Sequence, residues 1–160
     1  MSVGSLQGLL KQGMPTGRRV LPFTIRPMHR LSIKTQRKRQ ILDITDPVEA
    51  LLRQHHAAAV GVCHLLVLHT TAALTTADLD PGTDLDMLDA FESMIPKLNY
   101  RHPHDPGHVP DHILSALIGT SVSLLADRGS LILGTWQRVI LVELDGPRTR
   151  EIAFGFAVTV

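Results

Sequence analysis

The sequence predicts a compact α+β domain, a mixed or antiparallel sheet with a few short helices. Three observations carry that expectation. Strand-like and helix-like stretches are mixed without the strict alternation that a parallel sheet requires. The last forty residues read as four short strands, "SVSLL", "GSLILG", "RVILVEL" and "REIAFGFAVTV", with glycine-bearing turns between them. The chain has 160 residues, 44% hydrophobic and 19% charged, enough for one domain with a real core.

Residues 1–27 are rich in Gly, Pro and Arg and show no sustained period, so they read as a flexible basic extension ahead of a domain at 28–160. "HRLSIKTQ" alternates, with Leu31, Ile33 and Thr35 on one face, and reads as a strand. "RKR" is expected to turn it back onto "QILDIT" as a hairpin partner. Asp46-Pro47 followed by Glu49 marks a helix start, with a cap, a first-turn proline and an acid at the positive end. Val48, Leu51 and Leu52 form its apolar stripe, and it ends before Gly61. "VGVCHLLVLH" is continuously apolar and reads as a central strand buried on both faces. A second helix is expected from about Thr83 to Ile95, and a short third one at "HILSALIGT".

Charge divides the chain. Residues 1–39 carry nine Lys/Arg and no acid, whereas residues 40–160 carry seven Lys/Arg against fifteen Asp/Glu. An acidic body argues against general nucleic-acid binding. The acid-free extension reads as a disordered tail, with an organellar presequence as the alternative. No apolar run is long enough to span a bilayer. The one cysteine, Cys63, lies in an apolar run, which fits a reducing, cytoplasmic setting.

Four stretches carry polar chemistry. "HTTAALTTADLD" places His69, Thr70 and Thr71 where the central strand ends. "DLDPGTDLDMLD" fails as a calcium loop, because the EF-hand pattern requires Gly at its sixth position and Glu at its twelfth, and counting from Asp78 those hold Thr83 and Asp89. Asp84, Asp86 and Asp89 suit the first turns of a helix, while Asp78 and Asp80 remain available as ligands or bases. "YRHPHDPGHVPDHI" holds four of the nine histidines, but Pro103, Pro106, Gly107 and Pro110 forbid a continuous helix through it. In "GTWQRVILVELDGPRTR", Trp136 and Gln137 precede a strand, and Glu143 sits inside it. An unpaired carboxylate there is costly, so Arg148 or Arg150 is its expected partner.

Together "HTTAALT", the Tyr100-x-His102 pair, "HILSALIG" followed by Ser121, "GTWQ" and "DGPR" resemble the YjbQ-like, secondary thiamine-phosphate synthase family in order and approximate spacing, from about His29 onward. That resemblance implies an α+β homotrimer with weak thiamine-phosphate synthase activity, which joins a pyrimidine-methyl diphosphate to a thiazole phosphate and releases pyrophosphate. It implies His69, Asp78 and Arg148 as catalytic residues. Thr70, Thr71, Trp136, Gln137 and Arg148 would hold the substrate. His69, His102 and His112 would converge on a divalent metal, zinc or magnesium, leaving one position open. His104 and His108 would be incidental loop residues. The partners implied are further copies of the chain and a phosphorylated small molecule. Ala77 stands before Asp78 where the family pattern has Asn or Gln. Other readings of the same pocket are metal-assisted hydrolysis of a phosphorylated compound, or ligand binding without turnover. The site is expected at or near a subunit boundary, because several strands look apolar on both faces.

Overall fold

A computed structural model describes residues 28–158, so the basic extension expected at 1–27 lies outside the described residues. Among the described residues eight strands and three helices follow one another. They are β1 (His29–Lys34), β2 (Gln40–Asp43), α1 (Thr45–His56), β3 (Val60–Val67), β4 (Ala72–Ala77), α2 (Thr83–Met94), α3 (Val109–Ile118), β5 (Ser121–Asp127), β6 (Ser130–Leu131), β7 (Arg138–Glu143) and β8 (Thr149–Val158). A 3-10 turn, Pro106–His108, leads into α3. The α+β expectation holds, and every strand pairing is antiparallel.

The strands form two sheets, β1-β8-β3-β5-β6 and β2-β7-β4. The larger sheet supplies Cys63, Leu65, Ile152, Phe154 and Phe156 to the main core, and the smaller one meets them with Leu74, Val139 and Leu141. Val48 and Leu52 of α1 join this cluster, and both are fully buried. A second cluster lies on the other side of the smaller sheet, where Ala73, Ile140 and Val142 pack on Leu114 of α3, with Met87, Leu88 and Phe91 of α2 alongside. The smaller sheet is therefore the middle layer. That explains why "VILVE" is apolar without alternation, since β7 is buried on both faces from Val139 onward.

Three sequence expectations are corrected. The first two strands are not a hairpin: β1 pairs with β8 and β2 with β7, in different sheets. The link between them crosses layers, and Thr35 within it is buried and donates its hydroxyl to Glu143 (3.0 Å). The central strand β3 alternates rather than burying both faces; His64 and Leu66 point outward and are exposed. Leu66, Leu68 and Leu125 thus lie open on the larger sheet's outer face. Lastly, α1 begins two residues earlier than expected, with Ile44 rather than Asp46 at the cap position; the Asp43 carboxylate accepts from Thr45 N–H at 2.8 Å and Asp46 falls in the first turn. Strand β4, "AALTTA", is an element that the sequence reading does not assign. Among the described residues, no helix is long and apolar enough to cross a membrane.

Candidate functional site

Between β3 and β4 the chain passes from one sheet to the other, through Leu68–Thr71. The β7–β8 connection, Leu144–Arg148, makes the return passage at the same end of the molecule. Two crossings side by side, roofed by the turn that leads into α3, leave a polar cavity of about 670 Å³. His69, Thr70, Thr71, His108, His112, Asp145, Arg148 and Arg150 all reach it.

Its base is a buried ion pair. Arg150 and Glu143 are 1% and 0% exposed, and Arg150 grips the carboxylate through both Nε (2.7 Å) and Nη2. Of the two partners the sequence allowed for Glu143, the structure selects Arg150. Its Nη2 also donates to the carbonyl (3.2 Å) and hydroxyl (3.1 Å) of Thr71, which fixes the crossing strand. Glu143 accepts in turn from Asp145 N–H at 2.8 Å. A buried charge pair this fully hydrogen-bonded sets geometry more than it adds net stability.

Arg148 sits above it. Its guanidinium donates to Asp145 twice, to the carbonyl and to Oδ2, each at 2.6 Å, while its side chain stays 51% exposed. The fork is aimed by one carboxylate and still faces the cavity. Gly146 has to be glycine, since a Cβ there would lie 2.3 Å from the Arg37 carbonyl oxygen.

The histidines divide differently from the expectation. His69 Nε2 accepts from Glu151 N–H (3.0 Å), so the ring proton of the neutral form sits on Nδ1. His112 Nδ1 meets the Thr70 carbonyl at 3.0 Å, which makes Nδ1 the donor and leaves Nε2 for the cavity. His102 stacks on His112 with ring centres 5.6 Å apart and does not reach the cavity. His108, expected to be incidental, does reach it: Nε2 lies 3.0 Å from Asp105 and Nδ1 3.7 Å from Asp145. His104 only touches His102, edge-on.

The expected metal set is not assembled within one chain. Among the described residues no three His, Cys, Asp or Glu side chains are grouped to hold an ion. For His69, His102 and His112 the reason is visible. The Nε2 lone pair of His69 is spent on Glu151, and His102 stacks with His112 rather than converging with it.

Asp78, Trp136 and Gln137 are elsewhere. In the β4–β7 ladder Ala72 faces Glu143 at the cavity end, and Ala77 faces Arg138 at the other. Asp78 follows Ala77 and accepts from Asp80 N–H (3.3 Å). Gln137 binds Thr76 (2.8 Å), and Trp136 is 69% exposed. Six residues of strand separate these three from His69 and Arg148, about 20 Å at the usual rise. Sequence reasoning missed Asp145, the carboxylate that orients Arg148. The available signal was an acid directly before Gly-Pro-Arg, where an i,i+3 contact to the arginine is within reach.

The His69 ring gains a proton less readily than a free imidazole, chiefly because burial penalises the cation and then because Arg150 repels it; Glu143 and Glu151 act the other way. The unfolded chain therefore takes up this proton at a higher pH than the folded one. Its contribution is complete above the ordinary histidine range and is lost as pH falls below it. The melting temperature is expected to decline below about pH 6.5, and less steeply in His69→Gln. Equal slopes in melting scans from pH 8 to 5 would assign the decline to other groups.

The comparisons with known proteins agree on one kinship. The family model described as UPF0047 protein YjbQ-like matches residues 29–158. The UPF0047 protein YugU of Bacillus subtilis is 38% identical over 121 residues, covering 75% of this chain and 91% of that protein. The UPF0047 protein Mb2586c of Mycobacterium bovis is 37% identical over 130 residues, 79% of this chain and 97% of that one. Among solved structures, the conserved hypothetical protein TT1486 of Thermus thermophilus superposes with a TM-score of 0.70 at 37% identity, covering 79% and 97% of the two chains. A YbjQ-like protein of unknown function from Sulfolobus solfataricus gives 0.76 at 28% identity, covering 86% and 99%.

Proposed function

This chain belongs to the YjbQ-like UPF0047 family, and from that premise we propose that it is a low-activity thiamine-phosphate synthase whose polar cavity receives the diphosphate of its substrate. The observation that supports this most is Arg148, a guanidinium steered by Asp145 yet half open to the cavity. Planar forks of this kind suit phosphate oxygens. In the reaction a bond forms from the thiazole nitrogen to the pyrimidine methylene carbon as the carbon–oxygen bond to diphosphate breaks. The negative charge then grows on the departing oxygens. Arg148 would meet that charge, with the Thr70 hydroxyl beside it. His112 offers Nε2 to the same space, where its protonated form would add a donor. A divalent ion would need ligands beyond those one chain groups together, and no step of this reading passes through one.

The same proposal includes a homotrimer. Leu66, Leu68 and Leu125 lie open on the larger sheet's outer face, which a symmetric partner would cover. Asp78, Trp136 and Gln137 belong to a single site with Arg148 only if another copy brings them. A cytoplasmic setting suits the thiol of Cys63, which burial pushes up to about 12.

The test is direct. Purified protein given pyrimidine-methyl diphosphate and thiazole phosphate is expected to form thiamine phosphate slowly and release pyrophosphate in equal amount. Chelator-sensitive hydrolysis of phosphoesters without that product would favour the metal-assisted hydrolase. Saturable binding of the diphosphate with no turnover of any kind would leave a ligand-binding protein.

A further inference from the structure

A second cavity lies on the other side of the segment that roofs the first. Side chains at 108 and 112 face the polar cavity, while Pro106, Gly107, Pro110 and Leu114 face a cleft of about 510 Å³, closed on its far side by residues 95–100. No residue lines both. The volume falls within the range of small-molecule sites.

Its chemistry differs from that of the polar cavity. The floor is Ile95 and Leu114, which are 9% and 2% exposed. The walls are the rings of Pro96, Tyr100, Pro106 and Pro110. Tyr100 gives this lining one aromatic face and the pyrrolidine rings add apolar surface, which together suit an aromatic occupant. Tyr100 is held in place by its hydroxyl, which donates to the Pro96 carbonyl. One side of the cleft is Arg39, whose charge is already spent on Glu92 (3.0 Å) and on the buried Asp111 (2.9 Å). The other side is the Lys97–Asn99 stretch. Among the described residues the Lys97 ammonium and the Asn99 amide make no hydrogen bond or ion pair. Lys97 is thus the one cation of the lining without a partner among the described residues.

We propose that this cleft is a second small-molecule site, taking a planar ring that bears a single anionic group. The ring lies between the proline and tyrosine faces, and the anion meets Lys97. This assignment stands whether or not the polar cavity performs the synthase reaction.

The probe is 1-anilinonaphthalene-8-sulfonate, an apolar ring system with one sulfonate, titrated by fluorescence into the native full-length chain. Saturable binding of one probe per chain is expected. Lys97→Glu should weaken it at least about tenfold, a loss of about 1.4 kcal/mol, and Leu98→Asp, at an exposed rim position, should abolish it. Ile132→Asp, at an exposed position outside both cavities, should leave it unchanged. The neutral analogue N-phenyl-1-naphthylamine should bind less tightly and ignore Lys97→Glu. Absence of saturable binding overturns the proposal, as does binding lost in Ile132→Asp but kept in Leu98→Asp. Binding that survives Lys97→Glu overturns the anionic part. Both rim substitutions are on exposed loop residues, so thermal melting of each variant checks that the fold is intact.

Discussion

Arg150→Met is expected to lower folding stability by about 3–5 kcal/mol, a fall in melting temperature of roughly 10 °C for a chain this long. The substitution roughly keeps volume but removes the only opposite charge that pairs with Glu143 among the described residues, and the Glu143 side chain is wholly buried. What remains for that carboxylate is the Thr35 hydroxyl and one backbone N–H from Asp145. Thr71 loses both hydrogen bonds from Nη2 at the same time, so the crossing strand beside the cavity loosens. Glu143→Leu combined with Arg150→Met should recover part of the loss, because no charge is then stranded. Recovery will be incomplete, since the hydroxyl of Thr35 and the N–H of Asp145 still lose their acceptor. Urea unfolding of the three variants measures this. A single variant within about 1 kcal/mol of the parent would mean that water reaches Glu143 and that the pair is not the rigid base described above.

Arg148→Ala should leave folding nearly intact and cut the rate of the proposed synthase reaction by about 10²–10³-fold, the range for losing one preorganised donor at a developing charge. The side chain is half exposed and carries no core packing. Arg148→Lys should restore only part of the rate, because an ammonium cannot fork onto two oxygens. Asp145→Asn separates aim from charge. It keeps the shape but weakens the two-point hold on Arg148, so pyrophosphate should bind less tightly while Arg148 itself remains. Isothermal titration with pyrophosphate reads this even where turnover is slow. Unchanged pyrophosphate affinity in Arg148→Ala would remove Arg148 from the site.

How far the sequence could be read follows from how local each signal was. Helices α2 and α3 and strands β5 to β8 were legible because their apolar patterns and glycine turns lie within a few residues of one another. The partner of β1 was not, because a five-residue basic link between two strands looks like a hairpin turn; only the burial of Thr35 and the reach of β8 decide otherwise. Strand β4 was hidden because its residues are small and lie in the middle layer, where alternation disappears. In the site, His69, Thr70, Thr71, His112 and Arg148 do come together. Asp78, Trp136 and Gln137 do not join them in one chain, since strand order, which no short motif encodes, puts them at the far end of β4 and β7. His108 looked incidental because its role depends on Asp145, 37 residues further on.

The pairing of β1 with β8 sets a timetable for biosynthesis. His29 lies opposite Phe154, and Lys34 opposite Thr149, so the first described strand waits for the last. The same late strand also flanks β3, the middle of the larger sheet. Until residues 149–158 have been made, β1 has no neighbour and β3 has β5 alone. The three helices and the β4 strand can be complete on the ribosome while the larger sheet is still open, with Leu65 and Val67 uncovered. Contacts of such long sequence separation are slow to form, and an open apolar strand edge is prone to wrong pairing. A nascent chain of this protein therefore holds an incomplete larger sheet until residues 149–158 emerge, and its exposure to wrong pairing lasts as long.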